Sequence, residues 1–380
     1  MAAEGPIDWA IAERVATRVA GDEALSHSYL ANSLPADLAE LTPLAERLVH
    51  DTTGLRSLGG PAHAVVVDRA EWIHANLDSF RRILAPLLDK MAERGALRGP
   101  ARAATRAVAG TEVGALLGWM SRRVLGQYDL LVAGDGNSDG NSDGTGDGGS
   151  AASPGSGGRA AGDTVYLVGP NVLGTEKKWG FPPREFRLWL ALHEVTHRAQ
   201  FTGVPWMREH YLGLVRESVD AVDPDPKQLV DTLRSAVASI RRDGLRAFDD
   251  NGLAGVLATP RQRDVLDRIG GLMTLLEGHG DVTMDRAAAG HVPSAERFGR
   301  ILRERRQNSS PIAKVVLKLT GIEAKLNQYA RGESFLAAVE GVDPGLVSRF
   351  WEDPANLPTL EEIRAPDRWV ARMGAAHRVA

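Results

Sequence analysis

The chain contains no cysteine, so disulfides and thiolate-bound metals are both excluded. Any resident metal ion has to be held by His, Asp or Glu. Aromatic residues are scarce at 6%, and no run of about 18 apolar residues occurs, so nothing in the sequence reads as a membrane span. An excess of one charge is also lacking: 45 Lys and Arg stand against 49 Asp and Glu, a formal net charge of −4. Arginine alternates with Asp and Glu along most helical stretches, the pattern of solvated faces rather than of a phosphate-binding stripe. Nucleic acid is therefore not an expected partner. The N-terminal MAAEGPIDWAIAERVATRVAG interleaves charges every few positions and lacks the apolar core of a signal peptide, so the expected location is cytoplasmic.

What remains is an ordinary globular composition, 43% apolar over 380 residues, enough for one large core or two modest ones. One stretch departs from it. Residues 134–162 are rich in Gly, Asp, Asn and Ser and nearly devoid of apolar side chains, so they cannot repay the entropy of ordering and read as a disordered surface insertion. Within it Asp135, Asn137, Asp139 and Gly140 match the first half of a calcium-binding EF-hand loop. The twelfth position is Gly146 instead of Glu, and no amphipathic helices flank the match. The expected division is a helical part over 1–133, the insertion, and a metal-binding part over 163–380, the two outer parts forming one domain.

Apolar residues at three- and four-residue spacing predict helices over Asp8–Val19, Ala36–His50, Arg69–Arg94 and Thr111–Gln127. After the insertion, Thr164–Val168 (TVYLV) is the best strand candidate, closed by Gly169-Pro170-Asn171. Further helices are expected from Pro182-Pro183 through Phe201, and over Trp206–Val219, Pro226–Asp243, Thr259–Ala287, Ser294–Arg306 and Ile312–Tyr329. The Pro- and Trp-rich tail from Asp343 to Met373 is expected to wrap the helical body. The fold class is mainly α with a small β element.

The segment that carries chemistry is His193-Glu194-Val195-Thr196-His197. Two histidines four apart on a helix share one face, so both imidazoles reach one ion, while the intervening Glu194 lies beside the metal where a general base is needed. With ten histidines in 380 residues, HExxH arises by chance in about one or two such chains per hundred. A catalytic zinc needs a third protein ligand and an open fourth position. The metzincin extension would need Gly at 200 and His at 203; the chain has Gln200 and Gly203, which excludes that branch. A second helix can supply a Glu instead, and LMTLLEGHGDVTMD offers Glu277, with Asp281 four residues on to accept the far N–H of a ligand imidazole. His279 is the rival third ligand, but two residues from Glu277 it points about 200° away on a helix. Gly270, Gly271, Gly278 and Gly280, costly in a helix interior, suggest that another backbone comes close. Tyr329, His210, Tyr211 and Arg331 are candidates to stabilise an oxyanion. TVYLV is a candidate sheet edge along which an extended peptide pairs.

These residues resemble a known family. YLVGPNV (Tyr166–Val172), LHEVTHRAQF (Leu192–Phe201), VPW (Val204–Trp206), LLEGHGDVTMD (Leu275–Asp285), KLNQYARGESF (Lys325–Phe335) and the tail from Trp351 to Arg372 are similar to the actinobacterial zincin-like metallopeptidases of type 2. Some members of that family are associated with biosynthesis of the deazaflavin coenzyme. The resemblance implies a mostly helical zincin-like fold, one zinc ion per chain and a peptide or small amide substrate, and it raises Tyr329 among the site candidates. The reading is a zinc-dependent metallohydrolase of the Glu-zincin type. The alternatives are a zinc-binding scaffold or regulatory protein that cleaves nothing, and a hydrolase of small metabolites. The sequence sets no oligomeric state.

Overall fold

A computed structural model describes residues 7–22, 25, 28–93, 101–128, 130, 163–221, 259–307 and 322–377, with the backbone alone for 29, 30, 87, 89–93, 101, 102, 303, 305–307, 322–330 and 375–377. The insertion with its EF-hand half-match and the helix expected over Pro226–Asp243 lie outside the described residues.

Helix α6 (Pro183–Gly203) occupies the centre. Pro182 and Pro183 suit its start, where the first backbone N–H groups have no intrahelical acceptor. Its apolar residues do not keep to one face: Phe186, Leu188, Trp189, Leu190, Ala191, Leu192 and Val195 are all buried, the mark of a helix enclosed on nearly every side. Helix α2 (Tyr29–Thr53) packs along one flank and α8 (Pro260–Ala288) along another. Phe186 and Trp189 join Phe181 of the preceding turn and Phe298 of α9 (Ala295–Gln307) in an aromatic cluster. Burial of such rings, with the Leu, Val and Ala side chains around them, drives these helices together.

A three-stranded sheet lies against this body. TVYLV forms β3 (Thr164–Val168), pairing parallel to β1 (His63–Val67) and antiparallel to β2 (Gly126–Tyr128). The order β1-β3-β2 puts TVYLV in the middle. Both its sides are already paired, so the expectation that it offers a sheet edge is overturned; among the described residues β2 is the edge strand beside the central helix. The helix expected over Thr111–Gln127 is also corrected. Helix α4 runs Ala101–Ser121 and the chain then turns into β2, a pairing with a partner about forty residues away that local spacing does not reveal. Helix α5 (Gly169–Trp179) starts where β3 ends, with Pro170 in its first turn.

Helix α1 (Trp9–Ala20) lies close on α4, and α3 (Arg69–Glu93) packs beside them. Helix α7 (Met207–Asp220) follows α6, and α10 (Ile322–Val342) lies along α8. The tail forms 3-10 turns over Pro344–Trp351 and Pro354–Asn356, then helices α11 (Leu360–Arg364) and α12 (Pro366–His377). Phe350, Ile363 and Trp369 from the tail pack with Leu275 of α8 and Phe335 of α10. No described helix is long and apolar enough to cross a membrane.

The glycines of α8 do permit close approach, but mostly not to α6. A Cβ on Gly278 would lie 2.4 Å from the carbonyl carbon of Gly332 on α10, and one on Gly271 would lie 2.8 Å from the Pro358 carbonyl oxygen. Only Gly280 faces α6, where a Cβ would come within 3.3 Å of His197 Cε1. Gly278→Ala is expected to cost about 1–3 kcal/mol by forcing α8 and α10 apart. Gly174→Ala, with nothing within 4 Å of the added carbon, should be neutral or slightly stabilising in a helix. Thermal unfolding of the two variants checks this; equal stability would mean the α8–α10 approach is not tight.

Candidate metal centre

Where α6 and α8 pass each other, side chains of opposite character converge in a largely buried space. His193 and His197, one turn apart on α6, hold their rings nearly perpendicular with centroids 4.6 Å apart and Nε2 atoms 3.3 Å apart. Glu277, reaching across from α8, places Oε2 3.5 Å from His197 Nε2. One donor atom from each of the three residues lies within 4.8 Å of the others. Bonds of about 2.1 Å in a tetrahedron put neighbouring ligand atoms ~3.4 Å apart, so the two short separations already suit one small cation, and the nitrogen–oxygen donor set suits zinc. Among the described residues no other group of His, Asp and Glu gathers in this way.

Glu277 is 5% exposed and Glu194 6%. Burial of anions is costly unless cations or donors compensate. Burial on its own would lower the pKa of His197; the hydrogen bond and charge of Glu277 and the charge of Glu194 outweigh it and raise the value to about 9. In the metal-free protein a proton therefore stands where two carboxylates call for positive charge.

Glu194 sits at the edge of the sheet. A Cβ at Gly126 of β2 would fall 2.5 Å from Glu194 Oε1 and 2.9 Å from its Cδ and Cγ. The strand thus passes the carboxylate at a distance only glycine allows. Sequence reasoning missed Gly126 because it lay in an expected helix. It also missed Gln200, used there only to exclude a branch: Gln200 Oε1 accepts from His197 Nδ1 at 2.9 Å. Its signal was a polar residue one turn after the second histidine on the same helix face.

Asp281 faces His193 Nδ1 at 4.0 Å, on the correct side of the ring but beyond hydrogen-bond length. His279 is separate from the metal group. It is buried, contacts Gln200 Nε2 through Nδ1 at 2.9 Å and packs edge-on to Trp351. Burial first, then the charges of His197 and Arg286, lower its pKa to about 4, so it is neutral at ordinary pH. The backbone of Tyr329 belongs to α10, and its side chain lies outside the described residues. Tyr211 packs against Phe201 and His210 against Trp206, both on α7. Arg331 precedes Gly332 at the α8–α10 crossing.

Folded metal-free His197 holds its proton more tightly than an unfolded histidine, whose pKa is about 6.5. Its stabilising contribution is complete below that value and is lost as pH rises through about 9. The melting temperature of chelator-treated protein should fall between about pH 7 and 9.5, and Glu277→Gln should remove most of that fall. A flat profile in the unmodified chain would contradict the Glu277–His197 pairing.

The chain also has relatives. The crystal structure of a protein from Chloroflexus aurantiacus, described as a candidate hydrolase with a novel fold, aligns with a TM-score of 0.68 and 29% identity, over 97% of this chain and 99% of that one. No curated protein matches the chain. The model of the family described as zincin-like metallopeptidase matches residues 7–370. The all-but-complete span of that match, over a mainly helical fold with a small sheet, places the chain in the zincin-like metallopeptidase family.

Proposed function

We propose that the protein is a zinc-dependent hydrolase acting on a peptide or related amide, with one zinc held by His193, His197 and Glu277 and with Glu194 as general base. The observation that carries this reading is the count of donors. Three protein atoms converge and, among the described residues, no fourth joins them, because His279 is taken up by Gln200 and Trp351. A structural zinc site is closed by four protein ligands, whereas a catalytic one leaves a position open. When bound, zinc would supply a Lewis acid that polarises an amide carbonyl and makes water more acidic.

The chain's own residues divide the remaining work. Glu194 is buried, so its carboxylate competes little with solvent and is able to take a proton from water and pass it to the departing amine. Gly126 keeps β2 against that carboxylate and limits where it can swing. Asp281 favours the N–H of His193 pointing away from the site. An extended peptide would add to the sheet at β2, the edge strand beside Glu194, rather than at β3. Tyr329 stays in the proposal as an oxyanion donor on the family resemblance alone.

Purified protein should contain about one zinc per chain, and Glu277→Ala should lower occupancy sharply. Glu194→Gln should keep the metal and lose about 10²–10⁴-fold in turnover of a peptide identified by library screening. Gly126→Ala should also keep the metal, with reduced turnover from a displaced carboxylate. Full activity in Glu194→Gln would remove Glu194 as the base, and an unmodified chain free of zinc would favour a different protein class.

A further inference from the structure

The side-chain amide of Gln200 has only one orientation that satisfies its surroundings. Gln200 is fully buried. Its Nε2 lies 2.9 Å from the backbone oxygen of Leu276 and 2.9 Å from His279 Nδ1, while its Oε1 lies 2.9 Å from His197 Nδ1. A backbone carbonyl only accepts, so the NH2 group has to face Leu276. The flipped amide would set its oxygen against the Leu276 carbonyl oxygen, a cost of the kind carried by unsatisfied buried groups. With Nε2 fixed there, its second N–H needs another acceptor, and His279 Nδ1 provides one only as a bare lone pair.

The consequence falls on His197. Gln200 Oε1 can only accept, so His197 carries a proton on Nδ1. Its Nε2 is then the nitrogen that faces His193 and Glu277. His279 is itself held in place: Trp351 packs edge-on at 4.9 Å, and the Thr283 hydroxyl lies 3.4 Å from the same Nδ1. The relay thus runs from α8, through Gln200 on α6, to His197.

We propose that His279 is a positioning residue that acts through Gln200 to hold His197 in the tautomer whose Nε2 binds the metal. This rests on reading the site as a metal centre. It also explains a buried histidine that stands two residues from Glu277 without joining the donor group.

The test uses the full chain, with Zn²⁺ alone as probe in competition with a chromophoric chelator, and ¹⁵N NMR of the histidine rings in the zinc-loaded protein. Gln200→Leu and His279→Leu should each weaken zinc binding about ten- to hundredfold and blur the single Nδ1–H tautomer of His197. The double variant should bind no more weakly than Gln200→Leu, because one residue acts through the other. His279→Asn, whose Oδ1 takes the place of Nδ1 as acceptor, should restore near-native affinity. Native affinity in His279→Leu, or losses that add in the double variant, would overturn the proposal. Should His279→Leu fail to fold, His279→Asn decides: native affinity with an intact tautomer supports the relay, and weakened binding overturns it. An unmodified chain that binds no zinc would refute the metal-centre reading itself. That result is distinct from a zinc-binding chain indifferent to position 279.

Discussion

Two buried carboxylates, Glu277 reaching across from α8 and Glu194 on α6 itself, stand near the imidazoles of His193 and His197, and the arrangement around them follows from the need to compensate that charge. An uncompensated buried carboxylate is costly enough to be protonated or expelled. Here a proton on His197 compensates, its pKa raised to about 9 by Glu277 and Glu194, and a divalent cation would do so more completely. The supporting parts are then intelligible. Gly280 lets α8 approach the His197 ring, Gly126 lets a strand pass Glu194, and Gln200 occupies the remaining nitrogen of His197.

This centre sits inside the apolar body. Helix α6 is enclosed by α2, α8 and the Phe181–Phe186–Trp189–Phe298 cluster, so the histidines are fixed by a packed helix rather than by a loop. Interiors of this density resist small displacements, which keeps donor atoms near the separations a metal needs. Buried ion pairs anchor α6 at both ends. Arg187 is bonded to Glu176 and Asp37 near its start, and Arg198 to Asp163 and Glu46 beyond the histidines. Breaking such pairs strands a buried charge, so they fix the position of the helix as much as its stability.

Much of this was legible in the residues. The i, i+4 histidines share one face of a helix, a local periodicity, whereas Glu277 on a second helix was reached from the need of zinc for a third ligand rather than from spacing. What spacing could not supply were contacts between distant segments. The HAVVV strand at His63–Val67 and the three-residue β2 gain their structure from pairing with β3, so TVYLV looked like an edge and is the centre of its sheet. Gln200 and His279 were each read singly, as a branch marker and as a rival ligand; their connection exists only once α6 and α8 are packed. The glycines of α8 signalled close approach correctly, yet for all but Gly280 the approaching partners are α10 and the tail.

Diffraction from crystals of the zinc-loaded protein at the zinc absorption edge tests the central claim most directly. The account predicts one strong anomalous peak per chain, about 2.0–2.2 Å from the Nε2 atoms of His193 and His197 and from a carboxylate oxygen of Glu277, with no fourth protein ligand. A peak bonded to His279, a site closed by four protein atoms, or no peak at the α6–α8 crossing would contradict it.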